Sequence, residues 1–269
     1  MPPAPPLSWH DYFWSFLRRR RVRGFTRLWH AFRGPHETVR VRARFGAIFA
    51  LNPFAYIDGI VFEEGFYESE VLAAIEPKLH PGAVLWDIGA NFGLHAITAA
   101  RLHREVTVVA FEPNPTEHAR LLQHRAWNAP HLVTSSLALS DAASVLPLHL
   151  GPPGNSGMTT LAPWSKASYS GTVLVATAKG DDLVACGAVP APTAIKLDVE
   201  GSEAAVLRGL AATLNHRRCE LVVFEDSLDG DSEPKRILRA AGFVLTPLAR
   251  REHTDHALVN FAASRPSTA

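Results

Sequence analysis

Cysteine is scarce in this chain, with only Cys186 and Cys219 among its 269 residues. Two cysteines cannot form a disulfide scaffold, and such scarcity favours a reducing compartment, so we expect a cytoplasmic location. Long apolar runs are lacking too, because no stretch approaches the roughly 18 uncharged residues that a membrane-spanning helix needs. Disorder of the whole chain is excluded, since 47% of the residues are hydrophobic and 20% are charged.

Net charge is also small, at +1, but this value averages two unlike parts. Residues 1–44 contain ten arginines against Asp11 and Glu37, a formal charge of +8. The remaining 225 residues contain 17 bases and 24 acids, a formal charge of −7. A basic segment joined to an acidic body indicates that the N-terminal residues have a role of their own.

Residues 1–37, the N-terminal extension, combine arginines with many aromatic side chains. The arginines follow the short apolar stretch rather than precede it, so a signal peptide is not expected. Two interpretations fit residues 8–33: an amphipathic helix on an anionic membrane surface, or short helices that pack on the body or on a second subunit. No nucleic-acid partner is expected, because the extension matches no groove-reading module and the body is acidic.

Strand and helix patterns alternate through the body, residues 38–265. Alternating apolar residues at 39–51 predict a small hairpin. Short apolar runs predict strands at 83–88, 106–111, 131–139, 193–199 and 219–225. Helical spacing predicts helices at 66–79, 94–102, 116–126, 203–214 and 234–241. This order indicates an α/β fold with a mostly parallel sheet and helices on both faces, and the final apolar segments, 243–248 and 256–263, predict an antiparallel hairpin.

The first predicted strand of the sheet runs into a glycine-containing turn, Asp87-Ile88-Gly89-Ala90-Asn91-Phe92-Gly93. This turn lacks both the G-x-G-x-x-G spacing of dinucleotide sites and the Gly-Lys-Ser/Thr ending of a Walker loop, so no pyrophosphate is implied. Glu112 ends the next strand, where an acid can accept hydrogen bonds from ribose hydroxyls. Asp87 could pair with an ammonium group, directly or through water, or cap the following helix. Together these residues suggest an adenosyl ligand with an amino acid tail.

Several motifs in a fixed order resemble the FkbM family of S-adenosylmethionine-dependent methyltransferases. They are GFYESE (65–70), DIGANFG (87–93), FEPNP (111–115), ALSD (138–141), GNSGMTTL (154–161) and IKLDVEGSEAAVLRG (195–209). The resemblance covers residues 38–263. It implies a class I methyltransferase (Rossmann-like) fold with a seven-stranded sheet, and methyl transfer from S-adenosylmethionine to a hydroxyl of a sugar, glycan or secondary metabolite.

The resemblance also implies roles for individual residues. The methionine part of the cofactor would contact Asp87, Gly89, Asn91 and Gly93. Glu112 would hold the ribose, and Asn114 of the same motif is counted among the cofactor-binding residues. Ser140 and Asp141 would lie near the adenine, whereas Tyr67 and Glu68 would close the pocket.

Three polar residues of the fourth strand, Lys196, Asp198 and Glu200, are expected on one face because strand side chains alternate. A hydroxyl acceptor needs a general base, and we expect Asp198 to be that base or to orient the substrate, with Glu200 as its alternative. Glu203 is expected to cap the next helix. His95 is a weaker candidate base.

Acceptor binding is expected in the irregular loop 151–170, through Asn155 and Ser156, and at Glu225 after the fifth strand. A metal requirement stays open, because Asp198, Glu200, Glu225 and Asp226 do not have diagnostic spacing. Alternatives to a methyltransferase are a nucleotide-dependent oxidoreductase and a non-catalytic adaptor tethered to a membrane by the extension. The sequence specifies neither the acceptor's identity nor the oligomeric state, and it leaves nitrogen and carboxylate acceptors open beside a hydroxyl.

Overall fold

The computed structural model describes residues 6–20, 25–32, 37–249 and 258–266. The helices in these ranges are α1 (Trp9–Arg19), α2 (Phe25–Phe32), α3 (Tyr56–Glu64), α4 (Ser69–Ile75), α5 (Leu94–Leu102), α6 (Pro115–Asn128), α7 (Gly180–Ala185), α8 (Glu203–Arg208), α9 (Ala211–Asn215) and α10 (Glu233–Ala240). The strands are β1 (Val39–Arg42), β2 (Ile48–Leu51), β3 (Val84–Ile88), β4 (Thr107–Phe111), β5 (Val133–Ser135), β6 (Ala138–Leu139), β7 (Ser144–Leu150), β8 (Gly171–Ala178), β9 (Ala194–Leu197), β10 (Leu221–Ser227), β11 (Val244–Pro247) and β12 (Leu258–Ser264).

The main sheet has seven strands in the order β5-β4-β3-β9-β10-β12-β11. The first five are parallel, and β12 runs antiparallel to both of its neighbours. Alternate residues of β3 enter two cores: Leu85 packs with α4 and α5, whereas Trp86 packs with α8. Burial on both faces explains why these strands are apolar throughout. The predicted class I methyltransferase arrangement and its antiparallel hairpin are confirmed.

A second sheet of three strands, β6-β8-β7, was not predicted. The expected strand at 131–139 is two strands, because the chain leaves the main sheet after β5 and then pairs with β8 as β6. The β7–β8 ribbon is half-exposed, and Pro147 interrupts its pattern. Such a ribbon lacks the continuous apolar character that identified the buried strands.

Two predicted helices are shorter than expected. Segment 66–79 contains α4 and then a 3₁₀ turn at Glu76–Lys78, since Pro77 cannot donate a helical hydrogen bond. Segment 203–214 is divided into α8 and α9 near Gly209, where a Cβ atom would lie 2.0 Å from the Ser140 carbonyl oxygen. The predicted hairpin at 39–51 is confirmed as the antiparallel pair β1–β2.

The described part of the N-terminal extension packs on the body. Trp14 of α1 and Trp29 of α2 are buried in the same core as the β1–β2 hairpin, with their ring centroids 5.1 Å apart. Asp11 forms an ion pair with Arg40 at 3.0 Å and accepts a hydrogen bond from the Arg40 backbone N–H. Within the described ranges, no helix is long and apolar enough to cross a membrane.

Candidate active site

A cavity of about 490 Å³ lies at the carboxyl ends of β3, β4, β9 and β10. The predicted site residues that line it are Tyr67, Glu68, Gly89, Asn91, Glu112, Asn155, Ser156, Asp198, Glu200 and Glu225. The predicted site residues outside its lining are Asp87, Gly93, Asn114, Ser140 and Asp141. The structure therefore brings residues of the predicted cofactor site, of the loop 151–170 and of the predicted carboxyl groups to one cavity.

The turn after β3 requires both of its glycines. Gly89 has a φ of +81°, and a Cβ atom there would lie 1.7 Å from the carbonyl oxygen of Asp198. Gly93 has a φ of +93°, and its Cβ atom would lie 2.4 Å from Cδ1 of Leu121. Asn91 also adopts a positive φ, of 52°, which asparagine tolerates better than most residues. Gly93 thus allows the turn to pack against Leu121, and it does not line the cavity.

Glu112 is held in place by backbone N–H groups from two loops. Its Oε2 accepts a hydrogen bond from Asn91 at 2.6 Å, and its Oε1 accepts one from Asn114 at 2.8 Å. Burial raises the pKa of Glu112 to about 7, although these two hydrogen bonds act in the opposite direction. Each oxygen retains a lone pair, so the carboxylate can accept further hydrogen bonds from a ligand in the cavity.

Asp87 lies behind the cavity. Its Oδ2 accepts a hydrogen bond from the Ala96 backbone N–H at 2.9 Å, and its Oδ1 lies 3.5 Å from Lys196 Nζ. Asp87 therefore anchors α5, in agreement with the capping interpretation, and its position does not support the expected contact with the cofactor. Lys196 Nζ also lies 3.1 Å from Asp198 Oδ2. Burial disfavours the charged lysine, but the carboxylates of Asp198 and Asp87 outweigh it and raise the pKa of Lys196.

Three glutamates that line the cavity with Asp198 have elevated pKa values. Burial, followed by the charge of Asp198, raises the pKa of Glu68 to about 7, of Glu200 to about 9 and of Glu225 to about 8. Lys196 opposes the shift at Glu68 and Glu225. This end of the cavity therefore holds carboxyl groups that take up protons near neutral pH.

The backbone around Asp198 differs from the sequence prediction. Strand β9 ends at Leu197, so Asp198 and Glu200 lie in the following turn, where Glu200 has a φ of 55°. The expected single strand face is therefore wrong, yet Lys196, Asp198 and Glu200 all line the cavity. Glu203 accepts hydrogen bonds from the backbone N–H groups of Val199 and Gly201, and so braces this turn.

The loop between β7 and β8 forms one wall of the cavity. Ser156 Oγ accepts a hydrogen bond from Asn91 Nδ2 at 3.2 Å, which connects the loop to the glycine turn. Thr160 Oγ1 donates to the Glu200 carbonyl oxygen at 2.7 Å. Asn155 and Trp164 also line the cavity. The loop thus contacts both the predicted cofactor residues and the carboxyl cluster.

Three remaining predicted residues have structural contacts outside the cavity. Asn114 caps α6 by accepting a hydrogen bond from the Thr116 backbone N–H at 3.1 Å. Asp141 forms an ion pair with Arg208 at 2.8 Å, and that hydrogen-bonded pair lowers the pKa of Asp141. Ser140 is buried beside it. The apolar cavity wall near this strand end is made instead by Phe111, Leu137, Ala138, Leu139 and Leu148.

Several lining residues lie outside the predicted site. Tyr56 and Ile57 begin α3, and Leu258 begins β12. No sequence motif marks these three positions. Trp164, which also lines the cavity, lies in the predicted acceptor loop 151–170, where an aromatic side chain in a polar segment is a sequence signal for a binding residue. His95, the weaker candidate base, lines the cavity, but burial lowers its pKa to about 3. It therefore stays neutral.

No group of three or more His, Cys, Asp or Glu residues within the described ranges has an arrangement that could hold a metal ion. Cys186 and Cys219 are both free, and Cys219 is buried. The polar groups that line the cavity include carboxyl, amide, hydroxyl and imidazole groups together with the ammonium of Lys196.

Comparison with known proteins identifies related sequences. The family described as the methyltransferase FkbM domain matches residues 87–245. Hexuronic acid methyltransferase AglP of Haloferax volcanii is 31% identical over 182 residues, which cover 64% of this chain and 69% of that protein. The 31-O-demethyl-FK506 methyltransferase FkbM of Streptomyces tacrolimicus is 42% identical over 71 residues, about a quarter of each protein.

Similar solved structures include precorrin-6Y C5,15-methyltransferase of Geobacter metallireducens. It is 16% identical with a TM-score of 0.45, and the match covers 73% of this chain and 87% of that one. The range matched by the family model contains the glycine turn, Glu112, Asp198, Glu200 and Glu225, whereas Glu68 lies before it.

Proposed function

Because this chain belongs to the FkbM methyltransferase family, and is therefore a methyltransferase, we propose that it transfers the methyl group of S-adenosylmethionine to a hydroxyl oxygen of a sugar, glycan or secondary metabolite. The observation that carries this proposal is the single cavity described above. Its lining includes a glycine turn, a ribose-type acid and a cluster of carboxyl groups. A sugar or metabolite acceptor is supported by the two relatives, which are a hexuronic acid methyltransferase and a 31-O-demethyl-FK506 methyltransferase, and the second of these supports an oxygen acceptor.

The residues present fit S-adenosylmethionine. Glu112 offers carboxylate oxygens for the two ribose hydroxyls, and Phe111, Leu139 and Leu148 offer an apolar surface for the adenine. Gly89 and Asn91 would border the amino acid part, and Asp198 would accept hydrogen bonds from its ammonium group. When bound, the cofactor supplies an electrophilic methyl group on a positively charged sulfur.

The carboxyl cluster is suited to a hydroxyl acceptor. Glu225 and Glu68 can accept hydrogen bonds from hydroxyl groups and so orient the acceptor. Tyr56, Tyr67 and Trp164 provide flat apolar surfaces for a ring-shaped substrate. Alignment is the main requirement for a displacement with a good leaving group, and these side chains supply it.

Glu200 is the proposed general base, whereas Asp198, which the sequence favoured as the base or as a substrate-orienting residue, is proposed to hold the ammonium group of the cofactor. Lys196 holds the Asp198 carboxylate at 3.1 Å, which fixes its position. Among the described residues no cation forms an ion pair with Glu200, and its pKa of about 9 makes its carboxylate a stronger proton acceptor than an ordinary glutamate. The hydroxyl proton would pass to an Oε atom of Glu200.

Cofactor binding and turnover test this proposal separately. S-adenosylhomocysteine should raise the melting temperature of the wild-type chain, and Glu112→Gln should abolish most of that shift because an amide cannot accept both ribose hydrogen bonds. Incubation with a hydroxylated acceptor panel and a deuterated methyl donor should give a methylated product by mass spectrometry. If S-adenosylhomocysteine does not shift the wild-type melting temperature, the proposed cofactor is wrong.

A further inference from the structure

Helix α1 has two chemically different faces. Asp11 and Trp14 are buried against the body, whereas the opposite side carries four exposed aromatic residues. These residues, the aromatic face of α1, are Trp9, Tyr12, Phe13 and Phe16. Their spacing of three and four residues places them on one side of the helix. The exposed fraction is 71% for Trp9 and 57% for Phe16.

The aromatic face is a contiguous surface rather than a scatter of exposed rings. The ring centroids of Trp9 and Phe13 are 6.4 Å apart. Single exposed apolar residues are ordinary, but a contiguous patch marks a site of interaction. Packing against the body does not account for this face, because α1 already buries Trp14 on the other side.

Positive charge adjoins the aromatic face. Five arginines occur between residues 18 and 23, directly after it in the sequence. Arg20 is exposed, and its guanidinium lies 5.6 Å from the Phe16 ring centroid. Asp11, the acid of α1, faces the body and is paired with Arg40. The described surface here therefore combines four aromatic rings with the guanidinium of Arg20, which directly follows α1, and no described carboxylate of α1 lies on this side.

We propose that the aromatic face of α1 docks on the surface of an anionic lipid bilayer. Trp and Tyr have an apolar body and a polar tip, which suits the headgroup region. Arginines attract anionic headgroups, and the first 44 residues carry a formal charge of +8. A protein partner would need acidic groups beside an apolar groove. An anionic bilayer offers negatively charged headgroups and an apolar layer beneath them over its whole surface. Membrane docking is a function beyond methyl transfer, because methyl transfer does not require attachment to a membrane.

Helix α1, which carries the aromatic face, is connected to the cavity through α3. Helix α1 contacts α3, and Tyr56 and Ile57 at the start of α3 line the cavity. Docking would hold the methyltransferase domain at the membrane surface.

Vesicle sedimentation of the full chain tests this inference. The wild-type chain should bind vesicles of phosphatidylglycerol and phosphatidylcholine, should not bind phosphatidylcholine alone, and should dissociate as salt rises. The variant Trp9→Ser/Phe13→Ser/Phe16→Ser should bind at least about tenfold more weakly, because these side chains supply the apolar contact. Point variants are preferred to deletion of the extension, since deletion would also remove the buried Trp14 and Trp29.

A matched control replaces exposed apolar residues elsewhere. Val145→Ser/Leu174→Ser changes the exposed ribbon of β7 and β8 and should leave vesicle binding unchanged. The inference is overturned if the wild-type chain ignores anionic vesicles, or if the α1 variant binds them as well as the wild type does. It is also overturned if sedimentation shows a dimer that the α1 variant dissociates and no vesicle binding, because the face would then belong to a second copy.

Discussion

Two glycines in this chain share a positive φ but have different surroundings. Gly89, in the turn after β3, has a φ of +81° and would bring a Cβ atom to 1.7 Å from the Asp198 carbonyl oxygen. Gly82 has a φ of +79° and no heavy atom within 4 Å of its Cβ position. The pair therefore separates the cost of the backbone conformation from the cost of close contact between two loops of the site.

We expect Gly82→Ala to lower the free energy of unfolding by about 1–2 kcal/mol, the usual cost of a left-handed alanine. Gly89→Ala should cost more than about 4 kcal/mol, or displace the Asp198 loop and abolish S-adenosylhomocysteine binding, because the backbone atoms cannot both stay in place. Urea unfolding and calorimetry measure the two effects. Equal losses from both variants would show that the contact is relieved without consequence.

The elevated pKa of Glu200 leads to a kinetic prediction. A general base acts when it is deprotonated, so the rate of methyl transfer should increase from pH 7 towards pH 9. Glu200→Gln should lower kcat by about 10²–10⁴-fold and remove this dependence, with little change in the affinity for S-adenosylhomocysteine. Asp198→Asn is the comparison: if it, and not Glu200→Gln, abolishes the pH dependence, Asp198 is the base.

The sequence predicts the position of most site residues but not the direction of each side chain. The apolar patterns of β3, β4 and β9 predict where these strands end, and Glu112 and Asp198, which follow β4 and β9, line the cavity. Asp87 lies within β3, one residue before its end, and its side chain points into the protein. Tyr56 joins the cavity through tertiary packing of α3, which no local pattern encodes.

At the scale of elements, α6 is connected to the N-terminal hairpin and α3 by a buried ion network. Arg120 forms ion pairs with Asp58 of α3 at 2.7 Å and with Glu117 at 2.8 Å, and donates to the Ala50 carbonyl oxygen. Its guanidinium also lies 4.8 Å from the ring centroid of Phe92 in the glycine turn. This network thus joins α3, β2 and the cofactor turn to one helix.

Arg120→Ala should lower the free energy of unfolding by about 3–5 kcal/mol, because it leaves two buried carboxylates without a cation. Arg208→Ala also removes pairs with two carboxylates, Asp141 and Glu233, but these are exposed. Its cost should stay below about 1 kcal/mol. Denaturant titration of both variants checks the contrast, and similar losses would contradict the importance of burial.

The accuracy of the element predictions follows burial. Helix α5 has the predicted bounds, 94–102, and β3 and β4 agree within one residue, because two buried faces impose a strong apolar pattern. The β7–β8 ribbon and α3 were not predicted, since they mix exposed and buried positions. The break between α8 and α9 at Gly209 depends on contact with a distant strand end, which helical spacing does not reveal.

The buried carboxyl groups of the acidic body make the stability of the whole folded chain depend on pH. Glu200 and Glu225 have pKa values of about 9 and 8 in the folded chain, well above those of unfolded glutamates. The folded state therefore binds more protons, and stability falls as pH rises through these values. The neutral His95 and His124, with pKa values of about 3, affect stability only below the ordinary histidine pKa near 6.5.

We therefore expect the melting temperature of the ligand-free chain to decrease steadily between pH 6.5 and 9. Glu200→Gln should make this decrease smaller, because an amide cannot ionise in the cavity. Glu105→Gln, at an exposed position, should leave the slope unchanged. Differential scanning fluorimetry across this range measures all three chains, and parallel curves for the wild type and Glu200→Gln would contradict the assigned shift.

The place of β12 in the sheet affects how the protein is assembled during translation. Strands β10 and β11 emerge from the ribosome earlier, but each pairs with β12 rather than with the other. Asn260 of β12 also donates a hydrogen bond to Glu68, and Leu258 lines the cavity. The sheet and the carboxyl cluster are thus completed only after residue 264 has been synthesised. The cavity therefore cannot have its complete lining in a nascent chain before that point.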